Sequence, residues 1–363
     1  MIFPGSTLGV LGGGQLGRMF CVAARTMGYR TVVLDPDPES PAGRIADEHI
    51  QADYTDLVAL NQLADRCDVI TTEFENVPAE SLRQLLNKKP VYPSPQSVEI
   101  AQNRIKEKNF ARDAGIAPAP FVAIYAETDL AQAAEVTGFP AILKSSTLGY
   151  DGKGQFVVDN LEQAQEAYRS MGSVESVLEK KLNLKKEISV LLARNAQGKV
   201  GCYSPAENEH RNGILHQSIV PARIADKVAD AARQKAIDLA EAMDYVGVLA
   251  VEFFVCDGNL VANEIAPRVH NSGHWTIEGA MTSNFENHLR AILGWPLGET
   301  KVRQECVMFN IISEKPEIEV LLQMPNVHVH DYGKTPKPGR KLGHVTMCGQ
   351  AEHDVRVLTN MLI

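Results

Sequence analysis

Several things are scarce in this chain of 363 residues, and each scarcity removes a class of function. Positive charge is in deficit. Thirty-six Lys and Arg face 45 Asp and Glu, a net charge of −9, which argues against wholesale binding to nucleic acid or an anionic membrane but leaves room for a local basic pocket. Cysteine is sparse and scattered: Cys21, Cys67, Cys202, Cys256, Cys306 and Cys348 are more than 40 positions apart and form no CxxC pair. A structural zinc site is therefore not expected, and the thiols read as buried and reduced in a cytosol. No apolar run is long enough to cross a bilayer, and the glycine-broken N-terminus has no basic leader, which points to a cytoplasmic protein. What remains is a globular composition, 44% apolar and 22% charged, with length for two or three domains at roughly 150 residues each.

The first hundred residues alternate strand and helix signals, with strands at 7–11, 31–34, 67–71 and 90–92 and helices at 15–27 and 80–86. This βαβ rhythm predicts a parallel, doubly wound sheet. A stretch rich in Pro and Lys at 88–96, followed by a charged helix at 100–113, sets a domain boundary near residue 100. Beyond it, strands are expected at 140–144 and 156–158 around a glycine-rich loop at 145–155, and segments 176–180 and 187–194 read as antiparallel partners. Residues 228–243 have helical periodicity. Strands 246–255 and 260–265 flank Asp257-Gly258-Asn259 as a hairpin. A helix at 284–293 precedes a small C-terminal piece.

Six stretches carry chemistry. Gly12-Gly13-Gly14-Gln15-Leu16-Gly17 fits GxGxxG between a strand and a helix, with Asp35 ending the next strand. Such a loop suits a phosphate, a dinucleotide, or simply a tight turn. In KSSTLGYDGKGQ, Lys144 stands at a strand end before Gly149, Gly152 and Gly154, with Lys153 near the tip; this reads as a polyphosphate-binding lid or a flexible hairpin. Glu252 lies in an apolar strand, and Asn263-Glu264 lies on its return partner, a donor set suited to Mg²⁺ or else a buried salt bridge.

From Glu264, strand alternation puts Ala266, Arg268 and His270 on one face. His270 and His274 are spaced for zinc, but Ser272-Gly273 is poor helix and no Glu follows His270, so an anion pocket suits this run better. Thr72-Glu73-Phe74-Glu75-Asn76 follows a strand, at the end where α/β folds bind ligands. Finally, Lys334, Lys337, Arg340 and Lys341 lie in a segment without an acid between Asp331 and Glu352, which suits a phosphate or a solvated loop.

Taken together and in order, GGGQLGRM, TEFENV, QNRIKEK, GYDGKGQ, NEH, NEIAPRVHNSGHWT and GRKLGHV resemble the N5-carboxyaminoimidazole ribonucleotide synthetase family of the ATP-grasp superfamily. Leu148 departs from the family pattern, which has a glycine there. The resemblance implies an α/β fold of three parts: a Rossmann-like N-terminal domain (1–100), an ATP-grasp domain (101–294) with a mobile glycine-rich lid subdomain (about 118–182), and a small C-terminal domain (295–363). It implies that ATP is held by Arg104, Lys144, residues Gly149, Tyr150, Asp151, Gly152, Lys153, Gly154 and Gln155, the adenine hinge Glu179-Lys180-Lys181-Leu182, Glu187, His210, Asn263 and Glu264. Glu252 and Glu264 would carry Mg²⁺. The ribonucleotide and bicarbonate would meet Gly14, Gln15, Leu16, Glu73, Asn76, Tyr150, Asp151, Arg268, His270, Asn271, Ser272, Lys334, Arg340 and Lys341. Among these, Arg268, His270, Tyr150 and Lys341 are the expected catalytic groups. The implied reaction carboxylates 5-aminoimidazole ribonucleotide with ATP and bicarbonate through carboxyphosphate, in a homodimer. A formate-dependent glycinamide ribonucleotide transformylase would share the scaffold. A nicotinamide-dependent oxidoreductase would use Gly12 to Gly17 and Asp35 but leave Glu252 and Glu264 unexplained.

Overall fold

The computed structural model describes residues 1–147, 149, 154–256, 258–349 and 352–362, with no side chains described at 352–354. Tyr150, Asp151, Gly152 and Lys153, four of the expected lid residues, lie outside the described residues, as does Asp257 of the expected hairpin turn.

The N-terminal region forms the expected parallel sheet. Its strand order is Glu48–Ile50, Arg30–Leu34, Thr7–Leu11, Val69–Thr72 and Val91–Tyr92. The central strand Thr7–Leu11 is buried throughout, as a strand covered by helices on both faces must be. Two elements were not legible in the sequence: the three-residue edge strand and the helix Leu57–Arg66, which Asp56 caps through the amides of Val58 and Ala59 while Leu57 and Val58 face solvent.

At two places the structure departs from the sequence expectation. The charged helix at 100–113 is two helices, Pro95–Gln102 and Arg104–Asp113, divided where Asn103 caps the second by accepting from Ile105 and Lys106 N–H. The break starts a fresh helix at Arg104. Segments 176–180 and 187–194 are not partners. Ser176–Lys180 lies between Phe121–Ile124 and Ala141–Ser145 in a four-stranded antiparallel sheet that also holds Gln155–Val158, whereas Lys186–Arg194 belongs to a second, larger sheet. Both segments read as short strands, so pattern alone could not say which sheet each would join.

The larger sheet has nine strands and runs from Asn259–Ala266 through Gly247–Cys256, Lys186–Arg194, Ala206–Arg211 and Ile214–Val220 to Cys306–Ile312, Lys341–Cys348 and Val327–Asp331, with Val200–Cys202 paired off this path. The C-terminal strands therefore continue the central sheet. The hairpin expected around Gly258 is present, with Glu252 directly opposite Glu264. A bulge beside this pair inserts Asn263 as an extra residue, setting an amide next to the two acids. Among the described residues, no helix is long and apolar enough to cross a membrane.

Candidate active site

The sheet ends of the N-terminal and central regions face one cavity of about 400 Å³. Gln15, Leu16, Glu73, Phe74, Glu75 and Asn76 line it from the first region; His210, Glu252, Glu264, Arg268, His270 and Asn271 line it from the middle; Lys341 reaches it from the C-terminal strands. A second cavity of about 330 Å³ adjoins it across Glu73 and Phe74. Its lining includes Gly14, Asp35, Ser40, Arg44, Lys334 and Arg340. The basic C-terminal segment is thus divided, Lys341 to one chamber and Lys334 with Arg340 to the other.

The glycine loop is already filled by the protein's own acids, which revises the expectation that its amides await a phosphate. Glu73 accepts from the N–H groups of Gly14 and Gly17, and Asp35 accepts from Gly13 N–H at 2.6 Å. A carboxylate at a helix N-terminus satisfies unpaired donors and the helix dipole together. The fit is close: a Cβ on Gly14 would lie 2.4 Å from Glu73 Oε1. Asp35 also accepts from the Tyr54 hydroxyl, so the ribose-binding acid of a dinucleotide site is committed elsewhere, and the oxidoreductase reading loses its anchor. What the loop offers a ligand is the Gln15 and Leu16 surface, with Gln15 held by Lys334 across the domain boundary.

The facing acids are strongly perturbed. Burial, reinforced by the neighbouring Glu264, pushes Glu252 up to about 7, and the same two causes push Glu107 up to about 8. Glu107 stands behind the pair, on the helix Arg104–Asp113, and accepts the Ile265 N–H. Glu252 and Glu264 face one another with the Asn263 amide 3.4 Å from Glu252, and the Glu264 charge also reaches Glu107, so the acids repel one another. The residues present fit Mg²⁺, whose remaining ligands would come from phosphate oxygens and water.

The neighbouring cluster is the inverse. Lys144 Nζ lies 2.9 Å from Glu179 Oε2, and Lys108 Nζ 3.0 Å from Glu179 Oε1, all three side chains being buried. Burial opposes the charge on Glu179, but the two ammonium groups hold its carboxyl down to about 2. Burial lowers Lys144, against the pull of Glu179. Lys108 was missed in the sequence, although QNRIKEK contains it and its helical spacing from Arg104 would have put both on one face.

Beyond Glu179, the Lys180 and Lys181 amides are bonded to Pro120 and Pro140 carbonyls, while among the described residues the Leu182 N–H has no partner, an open donor at a strand end. Glu187 pairs with His210 at 2.7 Å, which raises the imidazole against the effect of burial. Arg104 Nη2 donates to the Gly149 carbonyl, and Gln155 registers opposite Lys144, with the Gly154 carbonyl accepting from Ser145.

Around Arg268 the regular strand has ended at Ala266, so cavity access comes from a turn rather than from the strand alternation expected. Arg268 and His270 nonetheless face the same cavity as Glu264. Ser272 does not. It is fully buried, and its N–H donates to His270 Nδ1, which leaves the ring proton on Nε2, 3.9 Å from Glu252. Burial and the nearby Arg268 and Lys341 charges keep His270 neutral, well below the usual imidazole range. Asn271 is 8% exposed, and among the described residues neither of its side-chain polar atoms has a partner, which leaves the amide open to a ligand. His274 turns into the interior, where it stacks on Phe285 and lies beside His344, and among the described residues no group of three potential ligands gathers a metal there. Ser40, unremarked in the sequence, is buried against the second cavity, which Lys334 and Arg340 also line, and among the described residues its hydroxyl has no partner.

Comparison with known proteins matches three family models along the chain: a ribonucleotide synthetase preATP-grasp domain over residues 5–102, an ATP-grasp domain over 109–285, and a phosphoribosylaminoimidazole carboxylase C-terminal domain over 306–357. The N5-carboxyaminoimidazole ribonucleotide synthase of Brucella melitensis is 46% identical over 348 residues, 94% of this chain and 96% of that one. That of Pseudomonas aeruginosa is 45% identical, covering 94% of each. Among solved structures, the synthetase of Thermus thermophilus superposes with a TM-score of 0.94 at 41% identity and 98% coverage of both chains. That of Aspergillus clavatus, in complex with ADP and 5-aminoimidazole ribonucleotide, gives 0.91 at 34% identity, again covering 98% of each. With fold, motifs and near-complete coverage in agreement, the chain belongs to the N5-carboxyaminoimidazole ribonucleotide synthase family of ATP-grasp ligases.

Proposed function

We propose that this chain carries out its family's ATP-dependent carboxylation of 5-aminoimidazole ribonucleotide with bicarbonate as the carbon source, in the cytosol and as a homodimer. ATP lies with its adenine edge at Leu182, its ribose at Glu187 and its phosphates toward Lys144, Arg104 and the loop at 145–155. Glu252 and Glu264, assisted by Asn263, would hold Mg²⁺, which would supply charge neutralisation at the phosphates. A bicarbonate oxygen attacks the γ-phosphorus, ADP leaves, and carboxyphosphate forms beside Arg268, His270 and Asn271. Carboxyphosphate breaks down to phosphate and CO₂. The exocyclic amine of the ribonucleotide then attacks the CO₂ carbon and loses a proton to give the carbamate. Arg268 is the expected source of electrostatic stabilisation for the anion, and exclusion of water by the lid protects the short-lived intermediate.

The ribonucleotide spans both cavities. Its base and amine lie near Glu73 and Asn76 in the first, and its phosphate lies at Lys334, Arg340 and Ser40 in the second. Support for this reading comes above all from one observation: the paired acids, the Arg268 turn and the N-terminal loop line a single 400 Å³ chamber, which lets a nucleotide, an anion and a ribonucleotide meet. Phosphate release should require ATP, bicarbonate and aminoimidazole ribonucleotide together, with no change in NAD(P)H absorbance. Release supported by formate and glycinamide ribonucleotide instead would overturn the assignment of substrate.

A further inference from the structure

Glu75 is the buried acid of the main cavity to which the reading above gives no task. Its loop is fixed from two sides: the Gln102 amide donates to the carbonyls of both Glu75 and Val77 at 2.6 Å, and the Thr72 hydroxyl donates to the Phe74 carbonyl at 2.9 Å. From this fixed loop the Glu75 carboxylate accepts the Nε–H of Arg268, while Arg268 Nη1 donates to the Val269 carbonyl at 3.2 Å. Two of the five guanidinium N–H groups are thus spent on the protein, and three remain for a ligand. The two side chains come from different domains and are both largely buried, so the contact fixes a plane rather than merely pairing charges.

We propose that Glu75 is a positioning residue that orients the Arg268 guanidinium, so that its remaining N–H groups meet the anion derived from bicarbonate. This rests on the reading of Arg268 given under Proposed function. A carboxylate repels that anion, so Glu75 acts through Arg268 and not by contact. Misplacing a binding group by about 1 Å costs roughly 100-fold. Glu75→Ala, which leaves Arg268 without its anchor, should therefore raise KM for bicarbonate and lower kcat by a combined factor of roughly 10 to 100. KM for ATP and for the ribonucleotide should stay near wild type. Glu75→Asp, which keeps the charge, should recover part of the loss.

Arg268→Ala separates the two possible failures. If it leaves bicarbonate saturation unchanged, the reading of Arg268 itself is wrong. If it impairs saturation but a folded Glu75→Ala does not, only the positioning role fails. A rise in ribonucleotide KM for Glu75→Ala would also overturn the proposal, by showing direct contact with that substrate. The double variant should be no slower than Arg268→Ala alone, and additive losses would sink the idea. Should Glu75→Ala not fold, Glu75→Gln carries the same measurements.

Discussion

Two buried charge clusters, built from the same few residue types, carry opposite imbalances. Lys108 and Lys144 share the single carboxylate of Glu179, whereas Glu252 faces Glu264 across a strand pair, with the Asn263 amide beside Glu252 and the buried Glu107 within reach of the Glu264 charge. One helix supplies both, since Glu107 and Lys108 are consecutive and turn toward opposite clusters. A buried surplus of either sign is costly unless something answers it. A metal nucleotide would answer both at once, with phosphates for the ammonium side and a divalent cation for the carboxylate side. The contrast teaches that the site is shaped for a ligand that is itself charge-separated.

The largest effect is expected on the acidic side. Glu264→Gln keeps the shape of the pair but removes a charge, and kcat should fall roughly 100- to 1,000-fold, the scale of losing one preorganised electrostatic group. Folding should survive, as thermal melting would report. Wild-type rate and Mg²⁺ dependence in this variant would end the comparison, because the acids would then not be a cation site. On the basic side, Lys144→Met removes one charge-assisted contact, worth about 1.5–3 kcal/mol, so KM for ATP should rise roughly 10- to 150-fold. An unchanged ATP KM would mean that the lysine surplus serves only Glu179.

Arg340→Ala touches neither cluster and sharpens the contrast. KM for the ribonucleotide should rise by roughly 10-fold while KM for ATP holds. The reverse pattern would show that the two phosphate sites are exchanged.

The gentlest test is pH. Folded and metal-free, Glu252 and Glu107 hold protons up to about 7 and about 8, but release them near 4.5 once unfolded. The folded chain then binds more protons across that window, so its stability falls as pH rises through it. Glu179 has the opposite sign: held down to about 2, it contributes above its ordinary 4.5, a contribution lost as pH falls toward 2. Urea midpoints without metal should therefore drop between about pH 4.5 and pH 8 and recover on adding Mg²⁺. A midpoint insensitive to Mg²⁺ at the higher pH would count against the acidic cluster.

Much of the architecture was legible, because β-strand alternation and glycine punctuation are local signals. The Glu252–Glu264 register followed from a ten-residue apolar strand and a short turn. Less visible were contacts that join distant segments. No local pattern reveals that Glu73 would cap the helix beginning at Gln15, that Ser40 would face a cavity, or that Lys108 would share Glu179 with Lys144. Ser272 was misread for the same reason: its hydroxyl and amide are spent on His270, a turn geometry that composition does not encode. The two halves of 100–113 were merged because Asn103 is compatible with a helix interior until its side chain is seen capping the next helix.

The continuity of the nine-stranded sheet has a consequence for how the molecule comes apart. Its ladder joins residues 186–348 without an intervening edge, so the C-terminal strands have no separate backbone frame from which to melt. Ile219 packs in the same apolar cluster as Val307 and Phe309, across the strand pair where the central and C-terminal segments meet. Calorimetry should accordingly find these segments unfolding as one cooperative unit, and limited proteolysis should not release a folded C-terminal fragment. The four-stranded sheet, with its own core around Leu143 and Tyr168, is the part free to loosen first.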